Sequence, residues 1–375
     1  MQNAMNIMNN SYLHIDMNIF RKNMNTLLAS LPAGVQLIPV LKDDAYGLGL
    51  GRMAAAATEF DAVRRVAVAH VSEGLALRQQ GFEKDILVLG SALPFQLPAA
   101  VAAGLELAAG SAEFVSALDA AAAQAGRRAR VHVKIDTGLH RIGAEPGDEL
   151  AALAEALRRA GHIDAVGIFS HFADTDNEAA SRAQYACFMQ GAAQLEQAGF
   201  TGLLRHICSS ASYEQYPEYA LDAVRIGRAL YMDSPDGVSH GIEEAVTWRS
   251  YITAVKQRRA GDSLGYGGAY RLAHDAKIAT VGVGYGDGLN EALCRVHADV
   301  LIGGKRCALL ACCMDQCFAD VTGIDCVPGD EVTFFGHDGQ GNFLPSQEVA
   351  ALIGSDEGCG LTSALSPRVA RIYGE

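Results

Sequence analysis

Short apolar runs alternate with helix-forming segments over the first two thirds of the chain. After a strand-like stretch at 11–20 and a helical one at 21–31, eight apolar runs follow at 38–42, 65–71, 85–90, 104–109, 130–136, 164–172, 203–209 and 222–231. Segments rich in Ala, Leu, Glu and Arg, which favour helix, lie between them at 72–80, 111–126, 148–160 and 178–198. This alternation predicts βαβ units with a parallel sheet, and eight strands predict an α/β fold with a (β/α)8 TIM-type barrel.

The pattern changes near residue 246. Strand-like runs at 247–255, 276–285, 307–312, 317–321 and 331–335 are separated by Gly, Asp and Pro turns, and a helix is expected at 347–353. The pattern predicts a mainly-β C-terminal domain over residues 246–375. The barrel domain is then expected over residues 11–245, and residues 11–16 are candidates for an additional strand of the β domain.

Charge and composition argue against several classes of partner and location. The net charge of −13 argues against nucleic acid or an anionic membrane surface as partner. The first ten residues lack the basic and apolar regions of a signal peptide, and no later stretch has the apolar length of a membrane span. Nine cysteines without a CxxC spacing are typical of reduced thiols in a cytoplasmic protein, and they predict no metal site.

Polar side chains lie in or just after the carboxyl-terminal parts of the predicted barrel strands, where the catalytic groups of such barrels lie. They are Lys42, Lys134, Asp136, Arg141, His171, His206, Ser210 and Arg225. A partly desolvated lysine at position 42 would be a nucleophilic amine able to form a Schiff base. On position alone, a lysine that keeps its charged head in water at a strand end is the more common case. The turns at Ser210 and Gly227 follow strands seven and eight, where these barrels often bind phosphate.

Eight ordered motifs resemble those of the fold-type III pyridoxal-phosphate racemases, above all the alanine racemase family, over nearly the whole chain. In the barrel half they are Lys42-Asp-Asp-Ala-Tyr46-Gly-Leu-Gly, His132-Val-Lys134-Ile-Asp-Thr-Gly-Leu-His-Arg141-Ile-Gly, Ile168-Phe-Ser-His171-Phe-Ala, His206-Ile-Cys-Ser-Ser210-Ala and Val224-Arg225-Ile-Gly227. In the β half they are Gly265-Tyr266-Gly, Gly284-Tyr285-Gly-Asp-Gly and Cys313-Met314-Asp315-Gln316. One such motif would be weak evidence, whereas eight in the family's order make a chance match a poor explanation.

The resemblance implies racemisation of L-alanine to D-alanine, a peptidoglycan precursor, with pyridoxal 5'-phosphate as cofactor. Lys42 would bind the cofactor covalently and act on one face of the substrate, and Tyr266 would be the base on the other face. In the family this tyrosine comes from the partner subunit of a head-to-tail homodimer. Without the resemblance, Tyr266 would simply be a tyrosine in a glycine-rich turn.

The resemblance also implies roles for the other matched residues. Arg225 would face the pyridine nitrogen, with His171 in hydrogen-bond reach of it, and Arg141 would bind the substrate carboxylate. Lys134 would be N-carboxylated and would orient Arg141. The remaining cofactor contacts would be Tyr46, Ser210, Gly227 and Arg228, and the remaining substrate contacts would be Tyr285, Met314 and Asp315.

Departures from the family's motifs leave alternatives open. Less usual residues stand at Asp43, Asp44, Leu48, Ser209 and Pro367. They bear on the substrate side chain, so a serine-preferring or broad-specificity racemase is one alternative. A non-catalytic protein that binds pyridoxal phosphate is another, although the complete second domain argues against it. A metal-dependent barrel hydrolase would use carboxylated Lys134 as a bridging ligand, but it requires a His-x-His pair where Lys42 stands.

Overall fold

The computed structural model describes residues 9–233, 241–355 and 357–375. They divide into two compact units. The first, here called the α/β unit, comprises residues 24–45 and 49–230. The second, here called the β unit, comprises the described residues up to 23, residues 46–48 and the described residues from 231 onward. No helix in these described ranges is long and apolar enough to cross a membrane.

The described chain opens with strand β1 (Ser11–Asp16) and helix α1 (Met17–Ser30). The expected strand over 11–20 is therefore too long, because the helix begins at Met17 rather than at residue 21. The Asp16 carboxylate Oδ1 accepts hydrogen bonds from the backbone N–H groups of Asn18 (2.9 Å) and Ile19 (3.0 Å). These bonds satisfy donors that the first helical turn leaves open, so Asp16 ends the strand and caps the helix.

The α/β unit contains eight parallel strands in two hydrogen-bonded groups, a TIM-like arrangement. Strands β3 to β8 form a six-stranded sheet in sequence order, and β2 pairs with β9. Single contacts link the two groups of strands. Val40, just after β2, forms a parallel bridge with Ala67 of β3, and the backbone N–H of Arg225 on β9 donates to the carbonyl of Cys208, just after β8 (3.0 Å). The strands are β2 (Gln36–Pro39), β3 (Arg65–Val68), β4 (Asp85–Val88), β5 (Glu106–Ala109), β6 (Ala129–Lys134), β7 (Ile163–Phe169), β8 (Leu204–His206) and β9 (Ala223–Ile226).

Helices connect these strands, with boundaries within a few residues of those expected. The capping of the helix over 112–125 shows why. Ser111 Oγ accepts from Phe114 N (3.2 Å) at the start, and Gly126 ends the helix with a φ of 61°. The helical segments are α2 (Lys42–Gly47), α3 (Leu50–Thr58), α4 (Val71–Gln79), α5 (Leu97–Ala102), α6 (Ala112–Ala125), α7 (Asp148–Arg159), α8 (Glu178–Gln197) and α9 (Ser210–Gln215).

The β unit is built on a nine-stranded sheet in which β1 pairs antiparallel with β10 and parallel with β19. Strand β10 also pairs with β17, and irregularities near Trp248 and Ile252 let this long strand bend between partners. Besides β1, the sheet contains β10 (Val246–Arg258), β13 (Ala276–Val281), β14 (Asp299–Ile302), β15 (Lys305–Cys312), β16 (Cys317–Asp320), β17 (Glu331–His337), β18 (Phe343–Leu344) and β19 (Ala370–Gly374). Strands β11 (Ser263–Leu264) and β12 (Tyr270–Arg271) form a separate two-stranded sheet.

Three short helices accompany this sheet: α10 (Glu291–Arg295), α11 (Ser346–Ala351) and α12 (Cys359–Ser363). The expected strand over 276–285 ends at Val281 instead. Beyond it, Gly284 precedes a 3-10 turn over Tyr285–Asp287, whose Asp287 carboxylate accepts from Gly284 N (2.9 Å). This local side-chain bond gives the backbone an alternative to sheet pairing.

Candidate active site

Lys42 begins an unusual turn rather than ending a strand, because β2 already stops at Pro39. Residues 43–46 all have φ values between 53° and 57°, so α2 is a left-handed helical turn. Each L-residue held in this conformation costs about 1–2 kcal/mol, so the surrounding structure must stabilise the turn. Glu73 contributes, since its Oε1 accepts from Asp43 N (2.6 Å). The Lys42 side chain is exposed, which is the more common case for its position, and it is not partly desolvated.

Asp44, one of the departures from the family's motif, connects this turn to the next helix. Its Oδ1 accepts from Leu50 N (2.7 Å) and its backbone oxygen accepts from Gly49 N (2.9 Å). The carboxylate therefore caps the first turn of α3, where negative charge is favoured by the helix dipole. This gives a local structural reason for an acidic residue close to Lys42.

Lys134 is a buried lysine at the end of β6, only 2% exposed. Its Nζ donates to the Ile135 carbonyl (2.7 Å) and lies 3.4 Å from Ser170 Oγ. Burial, and then the positive charge of Arg225, lower the pKa of Lys134 to about 7. A substantial fraction of this amine is therefore neutral near neutral pH.

Arg225, on β9, is a buried cation held by neutral acceptors. Its Nη1 donates to His206 Nδ1 (2.8 Å) and to the His206 carbonyl (3.0 Å). Its Nη2 donates to the carbonyls of Ser170 (2.8 Å) and Ile207 (3.0 Å) and to His171 Nδ1 (3.2 Å). Burial lowers the pKa of Arg225 to about 10, so the guanidinium stays protonated at neutral pH.

The tautomer of His171 follows from this contact. An arginine has donors only, so His171 Nδ1 must accept and the neutral ring carries its proton on Nε2. Burial and then the charges of four nearby cations hold the pKa of His171 well below its ordinary value; the cations are Arg225, Arg141, Lys42 and Lys134. The α/β unit thus brings these four predicted residues together around one neutral imidazole. Such a cationic cluster is suited to binding anions.

Backbone donors converge on Ser210 at the start of α9. The buried Ser210 Oγ accepts from Gly227 N (3.1 Å) and lies 3.4 Å from Ala229 N. A hydroxyl beside two backbone N–H groups is a suitable cradle for a phosphate. Arg228, also predicted to contact the cofactor, directs its Nη2 to the Glu214 carboxylate.

The β unit carries the other predicted residues, and three of them are unusually exposed for their size. Tyr266 is 70%, Met314 53% and Tyr285 38% exposed. Tyr285 N donates to the Cys313 carbonyl (3.1 Å), so the turn of Tyr285 is bonded to the hairpin that carries Met314 and Asp315. The Tyr46 ring is half-buried, and its centroid lies 5.9 Å from that of Tyr231.

Sequence reasoning missed a buried carboxylate beneath this site. Glu106, on β5, is fully buried and binds Arg65 through two hydrogen bonds (3.0 and 3.1 Å) and His132 Nε2 (3.2 Å). The one signal in the sequence is a lone glutamate inside the apolar run 104–109, since a buried charge requires partners. Its partners are distant in sequence, so the run alone could not identify them.

Known proteins resemble the chain over nearly its full length. The family model for the alanine racemase N-terminal domain matches residues 15–235, and that for the C-terminal domain matches residues 245–373. The chain is 36% identical to an alanine racemase of Symbiobacterium thermophilum, with 97% of each chain covered. It is 34% identical to one of Geobacter sulfurreducens, with 96% of each covered.

Solved structures of alanine racemases also resemble this chain. An alanine racemase of Clostridium difficile matches with a TM-score of 0.90 at 29% identity, covering 98% of this chain and 97% of that one. An alanine racemase from Bacillus anthracis with bound L-Ala-P matches with a TM-score of 0.90 at 28% identity, covering 98% of this chain and 95% of that one.

Proposed function

The chain belongs to the alanine racemase family and is an isomerase that interconverts L- and D-alanine, and we propose that it does so with pyridoxal phosphate and two bases, Lys42 and Tyr266. The observation that carries the proposal is the cluster of four cations around neutral His171, in the same unit as the Ser210 cradle. The cofactor phosphate and the substrate carboxylate are the anions that such a site requires.

The residues present fit this cofactor. Ser210 and the backbone N–H groups of Gly227 and Ala229 would hold the phosphate, and Lys42, whose side chain is exposed, would bind the cofactor covalently. Arg225 would face the ring nitrogen, as the resemblance implies. When bound, the cofactor supplies an electron sink that makes the α-proton of the amino acid acidic.

The protein's own residues then move the proton. A racemase must remove the α-proton from one face and return a proton to the other, so it needs two groups on opposite sides. Lys42 Nζ would serve one face and Tyr266 Oη the other. Arg141 would hold the carboxylate with its planar fork. Arg225, with only donors and a pKa of about 10, would leave the ring nitrogen unprotonated and so moderate the electron sink.

We also propose that Lys134 is N-carboxylated. Its buried amine, with a pKa of about 7, is partly neutral, and the neutral amine is the form that attacks CO2. The protonated amine first loses one proton to solvent. The neutral nitrogen then forms an N–C bond to CO2 as one C=O π bond opens, and a second proton leaves to solvent, so that a cation becomes an anion. That anion would orient Arg141 and offset the surplus of positive charge. A carbamate resonance after exposure to 13C-bicarbonate, absent in Lys134→Met, would support the modification; its absence from the wild type would contradict it.

The active assembly proposed here is a head-to-tail homodimer. Tyr266, Tyr285 and Met314 present large apolar surfaces to solvent, and such surfaces often mark an interface. Each site would combine Lys42 of one subunit with Tyr266 of the partner subunit. We further interpret the eight strands as a closed (β/α)8 barrel domain over 11–245, with 11–16 added to the β domain of 246–375.

We place the enzyme in the cytoplasm, where it would supply D-alanine for peptidoglycan. The net charge of −13 and nine free cysteines support this location. The direct test is to incubate purified protein and pyridoxal phosphate with L-alanine and L-serine and to separate the enantiomers by chiral chromatography. We expect D-alanine from the wild type and none from Lys42→Ala. Formation of D-serine without D-alanine would contradict the substrate, and formation of neither would contradict the proposed chemistry.

A further inference from the structure

A continuous chain of hydrogen bonds runs from Arg225 through two buried imidazoles to a carboxylate. Arg225 Nη1 lies 2.8 Å from His206 Nδ1, and His206 Nε2 lies 2.8 Å from His132 Nδ1. His132 Nε2 then lies 3.2 Å from Glu106 Oε2. Glu106 and both histidines are fully buried, so water cannot replace any of these partners.

The chemistry of its two ends fixes the direction of this chain. Arg225 can only donate, so His206 Nδ1 accepts, and its proton lies on Nε2. His206 Nε2 therefore donates to His132 Nδ1, and His132 Nε2 donates to Glu106. The carboxylate is ionised and can only accept: although burial raises its pKa, the bond from His132 and the charge of Arg65 outweigh this and bring it to about 2. Both rings thus have a single allowed tautomer.

Neighbouring residues make room for the chain and support it. A Cβ at Gly167 of β7 would overlap His132 Nδ1, so the missing side chain makes space for the ring. Gly167 has no positive φ, which leaves this close approach as its structural reason. The Phe169 ring stacks on His206 at 5.2 Å between centroids and an interplanar angle of 11°.

We propose that Glu106 is a positioning residue for the reaction: its carboxylate ends the chain of hydrogen bonds that holds Arg225 in one orientation toward the cofactor. The inference rests on the proposed function for what Arg225 faces. The hydrogen-bond partners of Arg225 are imidazole nitrogens and backbone carbonyls, so neutral acceptors set its orientation. A proton on His206 Nδ1 would place a donor against the guanidinium and break the contact. An acceptor-only group at the far end excludes that reversed arrangement.

Glu106→Gln tests this, because an amide can also donate and so permits the reversed tautomers. Asp85→Asn is the matched control. Asp85 contacts the same Arg65 (3.5 Å) and Arg130, but it has no bond to His132. Both variants remove one negative charge from the same pair of arginines, and only one of them touches the chain.

The first readout needs neither cofactor nor turnover. In cofactor-free protein labelled with 15N-histidine, NMR should show His132 and His206 protonated on Nε2 alone in the wild type and in Asp85→Asn. Glu106→Gln should show a second population protonated on Nδ1. One tautomer in all three proteins would overturn the proposal, and so would a second tautomer in Asp85→Asn as well. Because this measurement is independent of catalysis, an inactive wild type would refute the proposed function without deciding the role of Glu106.

The second readout is catalytic. In loaded enzyme, Glu106→Gln should lower kcat by about tenfold, the effect of losing one hydrogen bond to a charged group, and leave KM for alanine within about twofold. Asp85→Asn should retain wild-type kcat. Equal losses in both variants would indicate general charge balance and overturn the positioning role.

Gly167→Ala provides an independent route if Glu106→Gln does not fold. The added methyl displaces His132 while Glu106 stays in place, so kcat should fall similarly. Gly161→Ala, where an added Cβ meets open space, is its control. If Gly167→Ala keeps the wild-type kcat and the wild-type histidine tautomers, the proposed role of the hydrogen-bond chain is wrong.

Discussion

The buried amine of Lys134 should make the stability of the protein depend on pH in a way that one substitution removes. Its pKa is about 7 in the folded protein against an ordinary value of 10.5. Between these two values the unfolded chain binds more protons at this position than the folded chain, so stability rises with pH. The contribution of this lysine is absent at low pH, grows through pH 7 and is complete above pH 10.5.

The magnitude follows from the two pKa values. One pKa unit corresponds to about 1.4 kcal/mol, so a shift of this size gives a total of roughly 4–5 kcal/mol. Of this, about 2 kcal/mol should appear between pH 7 and pH 9. Lys134→Met keeps an unbranched side chain of similar length and has no proton to release, so it should lose this component.

The assay is denaturant unfolding of the cofactor-free protein at pH 7 and pH 9 in CO2-free buffer. The free energy of unfolding should increase with pH by about 2 kcal/mol more in the wild type than in Lys134→Met. Cysteine thiols of the unfolded chain also titrate in this range, and the comparison between two proteins cancels them. Lys256→Met removes the same charge from an exposed position and is the control. The change in pH dependence caused by Lys134→Met is compared with the change caused by Lys256→Met, and the difference is the effect of burial at Lys134. Identical pH dependences in the wild type and Lys134→Met would refute the reasoning.

Three further predictions follow from the turn at Lys42 and from the proposed assembly. Asp44→Ala should lower the free energy of unfolding by about 1 kcal/mol more than Asp43→Ala, because both positions share the left-handed backbone but only Asp44 caps α3; equal losses in denaturant unfolding would show that the cap contributes nothing. Borohydride reduction of the loaded enzyme should leave the pyridoxyl group on Lys42 in peptide mapping; its appearance on Lys134 would contradict the assignment. Mixing inactive Lys42→Ala with inactive Tyr266→Phe should restore activity, since a heterodimer contains one intact site; no recovery after verified subunit exchange would place both groups in one chain.

Local sequence signals predicted the regular elements well. The helix expected over 148–160 is observed as Asp148–Arg159, and that over 178–198 as Glu178–Gln197. Composition and capping residues act within a few positions, so a window of sequence contains most of what determines such helices. The short strands β11, β12 and β18, of two residues each, carry no comparable pattern and depend on pairing with distant partners.

The left-handed turn after Lys42 could not be predicted in this way. Asp43 to Tyr46 are not glycines, and their intrinsic preference opposes a positive φ. Glu73, thirty positions away, contributes one of the bonds that hold the turn. A local pattern contains no trace of such a partner, so the sequence suggested only a βα loop.

The candidate site likewise combines residues that local sequence predicts with residues that depend on distant partners. The motifs predicted Lys42, Lys134, His171 and Arg225 as site residues, because each lies in or directly after a predicted barrel strand. The role of Glu106 was missed, since its chain to Arg225 passes through residues that are 26, 74 and 19 positions apart at successive bonds. Only the side-by-side arrangement of the parallel strands brings these side chains together.

The proposed mechanism depends most directly on two opposed bases, and proton exchange in Tyr266→Phe tests them. The substitution removes one hydroxyl and keeps the ring, so the fold should survive. With loaded enzyme in D2O, deuterium should still enter D-alanine, the enantiomer on which the resemblance to the family implies that Lys42 acts. Racemisation should fall by about two orders of magnitude, the usual effect of a lost acid–base group. Equal loss of exchange from both enantiomers would contradict the two-base assignment, and a wild-type rate of racemisation would remove Tyr266 from the mechanism.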